Sequence, residues 1–236
     1  VQKISDHISK KVADKLTSLF KTEREAYNGY WQDINPFVKY GCMRDDKFYD
    51  SVKDAIIFKT LDEEYITLDE YLEKNKERHE NQVFYVNDKV QQSQYIQLFK
   101  DNGLDAVYLD DVIDTHFISF LEMKGESLKF KRVDADISDT LKDTSQEDEK
   151  ANKRVSKALL KLFKDAIDKE NLKIKVEGLK NFDIPAMILL SEESRRMEEM
   201  VQIYGNMGMT YPTSKEETLI ININFCPHIH QFFYIT

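Results

Sequence analysis

Between residues 83 and 133 the chain alternates short apolar runs with amphipathic stretches, and this alternation limits its fold more than any other feature. Val83-Phe84-Tyr85-Val86 has the character of a short strand. Asp88, with Gln91 three residues later, is placed to cap a helix through Tyr95, Ile96, Leu98 and Phe99, and Asn102-Gly103 to stop it. Ala106-Val107-Tyr108-Leu109 gives a second strand, bounded by Asp110-Asp111. A helix is predicted over 112–121, with Ile113, Phe117, Phe120 and Leu121 on one side. Leu128-Lys129-Phe130-Lys131-Arg132-Val133 alternates as a strand exposed on one face does. Strand, helix, strand, helix, strand at these lengths implies a small, mostly parallel α/β sheet.

Upstream, residues 1–40 read as helix. Ile4, Ile8, Val12, Leu16, Leu19 and Phe20 recur at steps of three and four, and Tyr27, Tyr30, Trp31, Ile34, Phe37 and Val38 form a second stripe. Pro36 is expected to kink or restart this helix and Gly41 to end it. Residues 46–57 give a third helical stretch with Phe48, Val52, Ile56 and Ile57 inward. Thr67-Leu68-Asp69-Glu70 has the form of a capping box ahead of a helix through Tyr71 and Leu72, and the charged run 74–82 is expected to be a surface loop.

Downstream the character changes. Residues 134–150 hold seven acids against two lysines, and a domain boundary is expected there. Val155, Leu159, Leu160, Leu162, Phe163 and Ile167 then mark an amphipathic helix. Strands follow at 172–176, 184–190 and 219–223, with a helix over 192–206 capped by Ser191. The expected organisation is a helical segment and a small three-layer α/β sheet domain over 1–133, an acidic linker over 134–150, and a smaller α+β module over 151–236.

Charge excludes some functions. A net charge of −9 and a pI of about 5.2 argue against a dedicated nucleic-acid binder and against anionic membranes. No run of apolar residues is long enough to cross a bilayer. Cys42 and Cys226 make a poor disulfide framework, which points to a reducing compartment. No Met opens the chain and Val1-Gln2-Lys3-Ile4-Ser5-Asp6-His7 is no signal peptide, so a piece of a longer polypeptide is expected.

Few constellations carry chemistry. No phosphate-cradling glycine loop follows any strand; Gly205 and Gly208 lie at the end of a helix. Asp110, Asp111 and Asp114 fall at the carboxyl end of a strand, where ligands bind in open α/β sheets, and could hold Mg²⁺ in a phosphoryl-transfer enzyme. The competing reading makes Asp111 a helix N-cap and Asp114 a complement to the helix dipole. Cys226, His228 and His230 alternate like zinc ligands, but beside Pro227 in the last eleven residues they fit a terminal tail better. No Ser-His-Asp or Cys-His nucleophile set can be assembled. Met197, Met200, Ile203, Tyr204 and Met207 fall on one helical stripe, either core or an adaptable contact surface.

The chain resembles the 90-kDa heat-shock chaperone family in its bacterial branch. Phe84-Tyr85-Val86-Asn87-Asp88-Lys89-Val90-Gln91-Gln92-Ser93-Gln94, Gly103-Leu104-Asp105-Ala106-Val107 and Ile113-Asp114-Thr115-His116-Phe117-Ile118 are similar to its middle domain. Lys10-Lys11-Val12-Ala13-Asp14-Lys15-Leu16 and Phe37-Val38-Lys39-Tyr40-Gly41 resemble the helical segment before that sheet. Asp183-Ile184-Pro185-Ala186-Met187 and the Met-bearing helix resemble the start of the C-terminal domain, and the likeness runs over about residues 1–224.

The resemblance implies part of an ATP-driven, homodimeric, cytoplasmic chaperone for partly folded clients. ATP and Mg²⁺ would belong to an N-terminal domain of the intact protein, and the arginine that reaches the ATP phosphate to a loop ahead of Val1. This segment by itself is therefore expected to be no enzyme and to hold no cofactor. Client-contact positions carry over onto Thr115, His116 and Ser119 on one helix, where bacterial members can carry Trp at the position of His116. They also carry over onto Met197, Met200, Ile203, Tyr204 and Met207 on another. The tail from Phe225 departs from the family pattern, and without the helices of the dimer interface the segment is expected to be a monomer or a weak associate.

Overall fold

The computed structural model describes residues 2–79, 81–135, 142, 149–167, 172–181, 183–205 and 217–225, and it divides at Lys131 and Arg132 into two compact units. The first unit opens with two long helices, α1 (Gln2–Thr22) and α2 (Arg24–Arg44). The break falls at Glu23, and α2 runs through both Pro36 and Gly41. The reason lies beside the proline. Pro36 has no N–H to give to the carbonyl of Gln32, and Asn35 Nδ2 donates to that oxygen instead at 3.1 Å. Gly41 has a packing role: a Cβ there would lie 3.0 Å from the Phe48 ring.

Asp45 ends α2 in extended backbone, and its carboxylate accepts from the N–H groups of Lys47 and Phe48 to start α3 (Asp46–Val52). The helix expected over 46–57 is shorter than predicted. A 3₁₀ turn (Lys53–Ala55) leads into β1 (Ile57–Thr60), which forms a hairpin with β2 (Tyr65–Thr67). Glu63, at a φ of 65°, makes the turn. Ile56 and Ile57 are buried as predicted, but at the entrance to a strand.

The capping box forms as expected. Glu70 N–H donates to Thr67 Oγ1 and Thr67 N–H to Glu70 Oε2, opening α4 (Leu68–His79). Residues 74–79 are therefore helix and not loop; buried Asn75 holds this turn by donating to the Tyr71 carbonyl at 2.9 Å. Next come β3 (Gln82–Val86), α5 (Ser93–Asp101), β4 (Val107–Tyr108), α6 (Asp114–Lys124) and β5 (Lys129–Arg132). Asp88 accepts from Val90 and Gln91, so it caps the turn before α5 and not the helix itself. Gly103 takes a φ of 62° to close α5.

The sheet order is β2-β1-β4-β3-β5. β3 and β4 are parallel, whereas β1 runs antiparallel to both β2 and β4, so the sheet is mixed where a mostly parallel one was predicted. The hairpin supplies the difference. The core joins Ala13 and Leu16 of α1, Tyr27, Trp31, Val38 and Cys42 of α2, and Phe117 and Ile118 of α6 to Ile57, Val83, Tyr85 and Phe130 of the sheet. Full burial of each large apolar side chain contributes about 1.5–3 kcal/mol.

The second unit is α+β. Helix α7 (Glu149–Ala166) leads to β6 (Leu172–Glu177), then β7 (Ala186–Leu190), α8 (Glu192–Gly205) and β8 (Glu217–Asn222). The sheet order is β6-β8-β7, with β8 parallel to β6 and antiparallel to β7. Val155 and Leu159 of α7 pack on Ile221 and Ile223, with Phe163, Ile174, Val176 and Leu219 around them. Asp134, at the start of the acidic stretch, is buried.

Candidate functional site

Helix α6 is fixed by its inner face. Phe117, Ile118, Phe120 and Leu121 are buried; the Phe117 and Phe120 rings stack at 6.1 Å, and Tyr49 meets Phe120 edge-on at 5.0 Å. Lys124 ties the far end to Asp46 at 2.8 Å. At the near end Lys39 of α2 donates to Asp114 Oδ1, and Asp114 Oδ2 accepts from the Asp111 N–H at 3.1 Å. The outer face carries the predicted residues. His116 is exposed, Thr115 and Ser119 are half-buried, and Ser119 Oγ donates to the Thr115 carbonyl at 3.0 Å.

Two residues that the sequence reading did not single out extend this ridge. Val112 is 74% exposed and Met123 is 80% exposed. In sequence they stand with His116 and Ser119 at steps of four, three and four; Met123 shares the outer face of α6 with those two, and Val112 lies in the turn just ahead of the helix. That spacing is the signal that could have found them. The ridge is apolar at its ends and polar at its centre.

Helix α8 is anchored by charge. Ser191 Oγ accepts from the Ser194 N–H at 3.2 Å, forming the predicted cap. Asp134 receives Arg132 Nε at 2.6 Å and Nη2 at 2.9 Å, and also Arg195 Nη2 at 2.8 Å. Glu192 accepts from the Arg132 N–H and from Arg196 Nε. Met197 is 47% exposed. The side chains of Met200, Ile203 and Tyr204, and all of Met207, lie outside the described residues, as do Cys226, His228 and His230.

The acidic cluster is not the Mg²⁺ site that the sequence allowed. Asp114 is already neutralised by Lys39, at side-chain exposures of 5% for both. Burial pushes its carboxyl above the ordinary range, against the lowering influence of Lys39. The cleft that includes Asp110, Asp111 and Asp114 has a volume of about 50 Å³, room for a few waters and far too little for a nucleotide. Nor is Asp111 the cap: Ile113 holds that position, while Asp114 lies in the first turn, where it does complement the helix dipole. Among the described residues, no group of three or more potential ligands is arranged to hold a metal ion. A larger cavity of about 660 Å³ lies between α4 and α5, but its charges answer one another, Lys74 to Asp105 at 2.9 Å and Lys100 to Asp62 at 3.9 Å. Among the described residues no helix is long and apolar enough to cross a membrane.

The family described as Hsp90 protein matches residues 1–229, a few residues past the end of the sequence resemblance at about residue 224. Chaperone protein HtpG of Bacteroides fragilis is 32% identical over 233 residues, covering 94% of this chain and 34% of that protein. Chaperone protein HtpG of Porphyromonas gingivalis is 32% identical over 234 residues, with the same shares. The chain thus spans about a third of the length of these curated relatives. Among solved structures, the middle domain of a Plasmodium falciparum heat shock protein aligns with a TM-score of 0.47 at 18% identity, covering 57% of this chain and 58% of that one.

Proposed function

The chain belongs to the Hsp90 family, and from that premise we propose that it is the client-holding part of an ATP-driven, homodimeric, cytoplasmic chaperone. The observation that carries this reading is the ridge Val112–His116–Ser119–Met123, which presents two large apolar side chains to solvent, Val112 from the turn just ahead of α6 and Met123 from near the end of a helix locked in place by its other face. Burying such side chains against an unfolded segment returns about 25 cal/mol per Å² without demanding a particular sequence. Thr115, His116 and Ser119 provide hydrogen-bonding partners between the apolar ends. On α8 the exposed Met197 begins the stripe that Met200, Ile203, Tyr204 and Met207 continue, and thioether side chains repack cheaply against varied partners.

This segment binds and does not catalyse. ATP and Mg²⁺ act in the intact protein through residues other than those of this chain, and nucleic acid and membranes are not partners. Aggregation of a heat-sensitive client in the presence of the intact protein provides the test. Val112→Ser with Met123→Ser, and separately Met200→Ser with Tyr204→Ser, should each weaken suppression while leaving the fold intact. Full suppression by both variants would remove these helices from the mechanism.

A further inference from the structure

We propose that the outer face of α7 is a docking site for an acidic polypeptide segment, independent of the client ridge. Helix α7 carries six basic residues against two acidic ones, in a chain whose net charge is −9. The basic residues are gathered on one side. Lys153, Lys157, Lys161 and Lys164 follow steps of four, four and three, Arg154 flanks them, and all five are exposed. They lie opposite Val155 and Leu159, which are sealed in the core of the second unit.

The stripe runs for roughly 16 Å at 1.5 Å per residue. Its charges stand about one Debye length or less from their neighbours, so their fields add. Some lysines of the first unit pair with acids, as exposed Lys124 does with Asp46 and half-buried Lys59 with Glu63. Arg154, Lys157, Lys161 and Lys164 have no carboxylate partner among the described residues. Four unpaired cations in line repel one another, and a ligand bearing carboxylates at matching intervals relieves that repulsion.

Other polyanions fit less well. An amphipathic helix binds a lipid surface by inserting its apolar face, and here that face is already buried against Ile221 and Ile223. A nucleic-acid duplex extends its phosphates well past one short stripe, into the field of an acidic protein. A polypeptide segment can confine its charge to the stripe. Leu162, 59% exposed and next to Lys161, offers it an apolar contact at the border.

The test uses the 236-residue chain and a fluorescein-labelled peptide of glutamate and leucine at helical spacing, followed by anisotropy at low and at physiological salt. Saturable binding that weakens with salt is expected. It should fall by about tenfold or more in Lys157→Glu with Lys161→Glu, because like charges are then opposed. Lys10→Glu with Lys11→Glu makes the same change in net charge on α1 and should leave the affinity unaltered; equal loss in both variants would reduce the effect to bulk charge and overturn the proposal. It is also overturned if a DNA duplex or phosphatidylserine vesicles bind the same face as tightly. Peptide binding that appears only after the acids of 136–148 are replaced by amides would mean that the stripe serves its own chain, which likewise overturns a partner in trans. Circular dichroism of each variant checks that α7 persists.

Discussion

Lys39 and Asp114 meet at 2.5 Å, 75 residues apart in sequence and both almost wholly buried. This ion pair joins the C-terminal third of α2 to the first turn of α6 and so helps fix where α6 begins. A buried pair is expensive to break, because the survivor keeps its desolvation cost without its partner.

Lys39→Met is therefore expected to destabilise the first unit by about 3–5 kcal/mol near neutral pH, measured by urea unfolding. The pH dependence has a definite sign. Burial raises the Asp114 carboxyl above its unfolded value, so its contribution is most favourable in acid and declines as pH rises through the folded pKa. Loss of Lys39 removes a lowering influence and strengthens this trend. The deficit of Lys39→Met against the parent chain should widen from about pH 4 to about pH 7. A constant deficit would contradict the account, and so would failure of Lys39→Met with Asp114→Leu to recover most of the lost stability.

Asp134 receives two arginines, one beside it in sequence and one from the first turn of α8. Asp134→Asn weakens both contacts at once. Backbone amides of α8 should then exchange with solvent at least about tenfold faster, as expected when a buried charged contact is lost. Amides of α7 should be unaffected, since α7 is held by Val155 and Leu159. Equal acceleration in both helices would mean that Asp134 supports the whole unit and not α8 in particular.

Cys42 of α2 is fully buried in the core, and burial pushes its thiol up to about 12. At neutral pH the thiolate fraction is correspondingly small. In a Cys226→Ser background, a thiol-reactive reagent should label Cys42 only as fast as the unit opens, and labelling should accelerate in Lys39→Met. Rapid labelling of the unperturbed protein would show that the core around Trp31 and Cys42 is looser than its packing implies.

Much of this was legible in the sequence, and the misses share a cause. The alternation from Val83 to Val133 located both later helices and three strands, because period-two and period-3.6 patterns are explicit there. Thr67 and Glu70 announced a helix start through side-chain chemistry alone. The hairpin of β1 and β2 was hidden because Ile56 and Ile57 continue the helical spacing of Phe48 and Val52. That α2 continues through Pro36 is not legible in the sequence, because its remedy, the Asn35 amide, is a hydrogen bond and not a pattern. The partner of Asp114 lies far along the chain, so no local window could separate a magnesium ligand from half of an ion pair. The apolar ends of the α6 ridge are visible as spacing in the sequence, but Val112 lies just ahead of the helix and Met123 near its end, where periodicity is weakest.

The most direct test of the central claim is methyl NMR of this chain, with Val and Met labelled, titrated with a permanently unfolded, reduced and carboxymethylated protein. The account predicts that the shifts and broadening gather at Val112, Met123 and Met197, while buried methyls such as Val52 and Met187 stay where they are. If the unfolded protein binds and those three exposed methyls do not respond, the ridges are not where clients are held.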